Sequence, residues 1–222
     1  EVAVMKEVAK KLPQYEFRFV PTSDDDLLIG VESGKYDIGT KGAWKTPARE
    51  KKYIFTKNYI AASVIGVTIR KEDADTIKNL DDFAKAGKKL VPIAPQNAQY
   101  QVIEDYNAAH PDHPVKLEAS ENFQVADAYT WVLEGRYDGY FAIELAYKKN
   151  VEAPDAPYKD FKDKLSYFRY KAIPTYPVIN KNDKELAADV DKALGELRQE
   201  GKLAELENKY FGEEVSKLVD AK

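Results

Sequence analysis

The 222-residue chain has no cysteine, one methionine and two histidines. Without cysteine there is no disulfide framework, no thiol nucleophile and no thiolate metal site. No apolar run approaches the roughly 18 residues that a membrane-spanning helix requires. An excess of positive charge is also lacking. Lys and Arg number 34 against 38 Asp and Glu, a formal charge of -4, whereas a nucleic-acid binder is expected to carry a basic patch. Missing too are the phosphate-cradling GxGxxG and GxxxxGK(S/T) patterns, the GxSxG elbow and the HExxH metal helix. Catalysis, a cofactor and nucleic acid therefore have little to stand on, and none is assigned. The histidines, His110 and His113, fall in the run HPDHP. Prolines on both sides break the helix that would align the rings, and no third ligand is fixed, so the run reads as a surface turn without a metal.

With 44% hydrophobic and 32% charged residues, the composition is that of an ordinary globular protein. Its length suits one large domain or two lobes of about 100 to 150 residues each. One short pattern is written twice, as VESGKYDIG at 31–39 and VLEGRYDGY at 132–140. Each copy follows a run of apolar residues at helical spacing, with Leu27, Leu28 and Val31 before the first and Val125, Ala128, Tyr129, Val132 and Leu133 before the second. Gly34 and Gly135 stand where each helix stops, because glycine takes the left-handed C-cap conformation without a Cβ clash. The basic neighbour of each glycine suits the negative end of the helix dipole. The spacing thus predicts helix, glycine stop and a strand from Tyr36 and from Tyr137, as two α/β lobes would place them.

The chain enters at Glu1 already inside a helical pattern of Val4, Met5, Val8 and Leu12, so residues upstream are expected. YEFRFV at 15–20 alternates as a strand. Ser23 and the aspartates behind it form a helix start. A strand at Val64–Arg70, a helix near NLDDFAKAG, a strand at LVPIA and a helix from about Ala98 to Ala109 follow. This alternation predicts largely parallel sheets. Strands at SYFRY and PVINK precede a helix lined by Leu186, Val190, Ala193, Leu194 and Leu197. Gly201 stops it, and a last packing helix carries Leu203, Leu206, Tyr210 and Phe211.

Two places suit an anion. In KGAWKTPAREKKYIFTKNY, Thr46, Pro47 and Arg49 sit in a polar loop after a strand end, where an arginine can grip a carboxylate through two parallel hydrogen bonds; an isolated loop arginine is otherwise a solvated surface charge. At PQNAQ, 95–99, a strand ends and the helix from Ala98 aims free amides outward.

The order of SGKYDIGTKGAWKTPAREKKYIFTKNY, TIKNLDDFAKAGKKLV, GRYDGYF and GELRQEGKLAELENKYFG resembles the extracytoplasmic solute-binding proteins of polar amino-acid ABC importers. The resemblance covers nearly the whole chain and implies an α/β, two-lobed, type II periplasmic-binding-protein-like fold with mostly parallel sheets and two hinge crossovers. Lobe one would be 1–58 and 178–222, lobe two 64–173, and the hinge 59–63 and 174–177. The family's first strand and its aromatic lid loop would precede Glu1. A monomer closing on a small amino-acid-like carboxylate and delivering it to a membrane ABC permease is implied, in the periplasm or as a lipoprotein at the outer face of the cell membrane. A receptor's sensing domain and a small-carboxylate dehydratase are the alternatives on this fold.

Resemblance also carries ligand contacts onto matching positions. Arg49 matches the arginine that binds the ligand's α-carboxylate. Gly42 and Trp44 match positions that usually offer a backbone carbonyl and a small hydroxyl, and Trp44 departs by adding an aromatic wall or filling space. Thr46 lies in the same loop. Gln96, Asn97, Ala98 and Gln99 match the usual anion loop with bulkier amides, and Phe123 and Gln124 fall at the next helix start. Ile143 stands where the family places an aspartate for the ligand's ammonium. Isoleucine cannot accept a hydrogen bond, so another acceptor is needed, with Glu144 nearest, or the ligand is not a simple free amino acid. A short peptide, a sulfur-containing or derivatised amino acid and another small carboxylate all stay open.

Overall fold

A computed structural model describes residues 1–120 and 125–219. They form two compact units, one made of Glu1–Ser63 with Ala172–Lys222, the other of Val64–Lys171.

The first unit opens with α1 (Val2–Lys11), which buries Val4, Met5 and Val8. Next, α2 (Asp24–Ser33) starts at Ser23, whose hydroxyl accepts the Asp26 N–H at 3.2 Å. Such a cap satisfies one of the amides a helix start leaves free and contributes about 1 kcal/mol. Then come β1 (Ile38–Ala43), the short α3 (Pro47–Glu50) and β2 (Tyr53–Phe55). The chain leaves on β3 (Ala61–Arg70). The second unit then builds α4 (Leu80–Lys85), α5 (Ala98–Ala109), α6 (Val125–Leu133), β4 (Gly139–Ile143) and α7 (Glu144–Tyr147). The chain returns on β5 (Leu165–Asn180), a single 16-residue strand, and finishes the first unit with α8 (Lys184–Gln199) and α9 (Lys202–Phe211).

The first unit's core joins Val4, Met5 and Val8 of α1 to Val190, Ala193, Leu194 and Leu197 of α8 and Leu203 of α9. A smaller cluster holds Val31, Ala43, Tyr53 and Val178. In the second unit Val91, Ala128, Tyr129, Val132, Tyr147 and Leu165 pack together. Each valine, leucine or methionine among these, fully buried, stabilises its unit by roughly 1.5–3 kcal/mol.

The doubled sequence pattern becomes a doubled geometry. Gly34 and Gly135 have φ of 84° and 75°. In the first copy Gly34 N–H bonds to the Val31 carbonyl and Tyr36 N–H to the Gly30 carbonyl; in the second, Gly135 N–H bonds to Val132 and Tyr137 N–H to Trp131. The offsets match residue for residue. Strands begin two residues after each tyrosine, at Ile38 and Gly139, because the tyrosine amides close the helix ends instead of entering a ladder.

Several expectations are corrected. Residues 16–20 form no ladder; Tyr15 and Phe17 pack against the α1–α8 core, and Tyr15 donates to Asp189 at 2.6 Å. Where largely parallel sheets were expected, β1 and β2 run antiparallel to β5 and β3 runs antiparallel to β4, while parallel pairing appears as bridges at Lys89, Leu90 and Ile93. LVPIA is thus reduced to bridges, and SYFRY and PVINK merge into β5. Finally, Tyr210 and Phe211 are exposed rather than packed.

Candidate functional site

The arginine loop follows from a flaw in a ladder. On β5, Pro177 has no N–H to give. Opposite it the register of β1 shifts: Gly39 faces Val178 and Ala43 faces Tyr176, so β1 carries extra residues through a bulge. Gly42 makes that bulge with φ of 68°, a left-handed conformation that glycine adopts freely. Its N–H donates to Glu1 Oε2 at 2.9 Å. The strand ends at Ala43, and Trp44, the next residue, is buried.

Thr46 caps α3, its hydroxyl accepting the Arg49 N–H at 3.2 Å, and Pro47 occupies the first helical position, where a missing N–H costs nothing. This cap turns the arginine inward. Arg49 is half-buried and donates from Nη1 to the Trp44 carbonyl at 2.8 Å. No carboxylate among the described residues pairs with it. Burial pulls its guanidinium below the ordinary arginine value, and nearby Tyr53 offsets part of that. A half-buried guanidinium with most of its donors unspent is a receptor for a planar anion.

In the second unit, Gln96 and Asn97 are exposed in the turn before α5, and Ala98 and Gln99 open the helix, half-buried. Asn97 occupies the N-cap position without a side-chain cap bond, which leaves the first amides of α5 available. Phe123 and Gln124 lie outside the described residues. Ile143 ends β4, opposite Ile65, and is the N-cap of α7. Glu144, the first residue of α7, is forked by Arg169, Nε to Oε1 at 2.8 Å and Nη2 to Oε2 at 2.9 Å, with Lys148 at 3.5 Å. Its side chain is only 15% exposed. Glu144 is thus already neutralised by two cations, and it lines a pocket of 330 Å³ inside the second unit with Lys71, Lys148, Lys162, Ser166 and Tyr167.

Gly42, Trp44, Thr46 and Arg49 lie in the first unit; Gln96, Asn97, Ala98, Gln99, Ile143 and Glu144 belong to the second. Reading by local pattern misses Glu1 beneath Gly42, Tyr53 beside Arg49 and Arg169 on Glu144. Alternation along Leu165–Tyr170 was the one available signal for Arg169, since it marks a strand with an outward cation.

A sequence profile described as "Bacterial extracellular solute-binding proteins, family 3" matches residues 1–213. The L-cystine-binding protein TcyJ of Bacillus subtilis (strain 168) is 30% identical over 224 residues, covering 98% of this chain and 77% of that protein. The L-cystine-binding protein TcyK of the same strain is 28% identical over 229 residues, covering 98% and 76%. Among solved structures, the probable amino-acid ABC transporter extracellular-binding protein ytmK of Bacillus subtilis is similar with a TM-score of 0.73 at 25% identity, over 95% of this chain and 86% of that one. No helix among the described residues is long and apolar enough to cross a membrane.

Proposed function

The chain belongs to the bacterial extracellular solute-binding proteins of family 3, and from that membership we propose that Arg49 receives the carboxylate of a small amino-acid-like solute. The protein captures that solute outside the cytoplasm for an ABC importer. The observation that carries the arginine's role is its half-buried guanidinium with no carboxylate partner among the described residues. Removing a cation from water is unfavourable unless a partner compensates, and an arriving carboxylate supplies one.

We further propose a cystine-type amino acid as the solute, since the relatives TcyK and TcyJ are named for L-cystine. Ile143 offers no side-chain acceptor, and Glu144 is engaged with Arg169. Recognition of an α-ammonium therefore falls to another group, and selectivity to the rest of the solute. In the same reading, 59–63 and 174–177 act as the hinge, the protein works as a monomer with a membrane permease as partner, and it resides in the periplasm or at a lipid anchor.

The test is calorimetry and thermal shift with L-cystine, the common amino acids and short peptides. At about 100 times its dissociation constant a solute adds about 2.7 kcal/mol. Arg49→Ala is expected to abolish binding with circular dichroism unchanged. Retained affinity in that variant would remove Arg49 from the site.

A further inference from the structure

In the second unit, three side chains that the solute reading does not use converge on one point. Asp81 lies on α4, and His110 is the residue that ends α5. The turn after it, whose His113 N–H bonds back to the His110 carbonyl at 3.2 Å, folds His113 toward the same place. One ligand atom from each of Asp81, His110 and His113 lies within 4.8 Å of the others. Asp81 Oδ1 is 3.9 Å from His110 Nε2 and 3.8 Å from His113 Nε2. Both separations exceed a hydrogen bond. They also come near the roughly 3.3 Å spacing that ~2.05 Å bonds to one tetrahedral ion impose.

The outer partners settle which nitrogens face the point. His110 Nδ1 is 2.8 Å from the Tyr106 carbonyl oxygen. A carbonyl only accepts, so Nδ1 holds the hydrogen and Nε2 keeps its lone pair. His113 Nδ1 lies 3.1 Å from Asp112 Oδ2, and the same logic leaves its Nε2 bare. That Nε2 is buried and has no hydrogen-bond partner, a state that is unfavourable unless something binds there. Carbonyl or carboxylate behind each imidazole is the arrangement that orients histidines toward a metal. Tyr106 organises the remainder. Its ring stacks on His110 at 4.1 Å between centroids, and its hydroxyl donates to Asp81 Oδ1 at 2.5 Å. Lys85 approaches the other oxygen, Oδ2, at 4.0 Å, leaving Oδ1 on the histidine side.

We propose that Asp81, His110 and His113 form a site for one divalent transition ion of the zinc class. Two imidazole nitrogens and a carboxylate oxygen suit that class, with a fourth position left for water. Asp81 and each histidine need to draw in by about half an ångström to reach the ~3.3 Å spacing, and the two histidine ligand atoms, which lie within 4.8 Å of each other, by up to about 1.5 Å. An ion there ties α4 to the turn that follows α5, so its role is to brace the second unit and it takes no part in solute capture.

The experiment uses the whole chain, stripped with a chelator and titrated with zinc chloride by calorimetry, then with cobalt(II) followed by visible absorption. One zinc per chain is expected, together with the absorption of tetrahedral cobalt. His113→Gln and His110→Gln are each expected to weaken zinc at least tenfold and to abolish the cobalt band. Circular dichroism in chelator establishes that each variant is folded; should one fail, Asp81→Asn takes its place with the same expectation. No saturable binding by the unsubstituted chain, or equal affinity in a folded variant, overturns the proposal.

Discussion

Replacing Arg70 by methionine tests how the second copy of the doubled pattern is held in place. Arg70 closes β3 with a side chain only 14% exposed. It donates from Nη1 to the Val132 carbonyl at 2.7 Å and the Tyr137 carbonyl at 3.0 Å, and from Nη2 to Asp138 at 2.9 Å. One guanidinium thus binds the end of α6, the tyrosine after the glycine stop and the aspartate behind it. Methionine keeps the apolar stem and removes every donor. Loss of one partner from a buried ion pair costs about 3–5 kcal/mol. Because the Asp138 side chain is 25% exposed, water recovers part of this, and the expected loss is about 3 kcal/mol. At this chain length that is a fall of about 6–12 °C in Tm, read by circular dichroism. The acid limb supplies a second readout. Burial pushes the Asp138 carboxyl up, but the Arg70 bond, the Lys89 N–H and Lys88 outweigh it and hold it below the ordinary carboxylate range. A carboxyl with a depressed folded pKa stabilises fully above its unfolded value, near 4, and loses that contribution as pH falls through the folded pKa. The gap between parent and variant therefore narrows below about pH 4. A loss under about 1 kcal/mol, the worth of a surface pair, or a gap that stays constant into acid, would refute this account.

Two glycine substitutions separate steric from conformational cost. A Cβ on Gly66 would stand 1.9 Å from the Phe168 carbonyl oxygen and 2.9 Å from Arg169 Cα; backbone cannot give way as a side-chain tip does, so Gly66→Ala is expected to cost about 3 kcal/mol or more, seen as a lower urea midpoint. At Gly135, with φ of 75° and nothing within 4 Å of an added Cβ, alanine pays only for the left-handed backbone. A loss of about 1 kcal/mol is expected there, part of it regained by Gly135→Asn; a large loss would mean a contact not seen at this position.

Features settled within a few residues are the ones the sequence makes legible. Ser23 before α2, Gly34 and Gly135 after their helices and the Thr46–Pro47–Arg49 turn act through neighbours, so spacing reveals them. α5 begins and ends where its pattern says, at Ala98 and Ala109. What escapes depends on a distant partner. YEFRFV alternates like a strand, yet alternation cannot create a neighbouring edge to pair with. Glu144 reads as a free acceptor until β5 sets Arg169 beside it, 25 residues on. HPDHP reads as a bare turn because its third ligand, Asp81, belongs to α4. The family resemblance supplies the long-range frame that local patterns lack, and the profile match over residues 1–213 bears out that membership.

The first unit is discontinuous along the chain, with α1 at its beginning and its main packing partner α8 near its end. Translation at about 5–20 residues per second brings α8 out roughly ten to forty seconds after α1. Throughout that interval Val4, Met5 and Val8 have no α8 to cover them. The second unit is one uninterrupted stretch, so all of its residues are synthesised before α8. Ribosomal order thus favours a nascent chain in which α1 stays uncovered while the uninterrupted second unit is already free to fold.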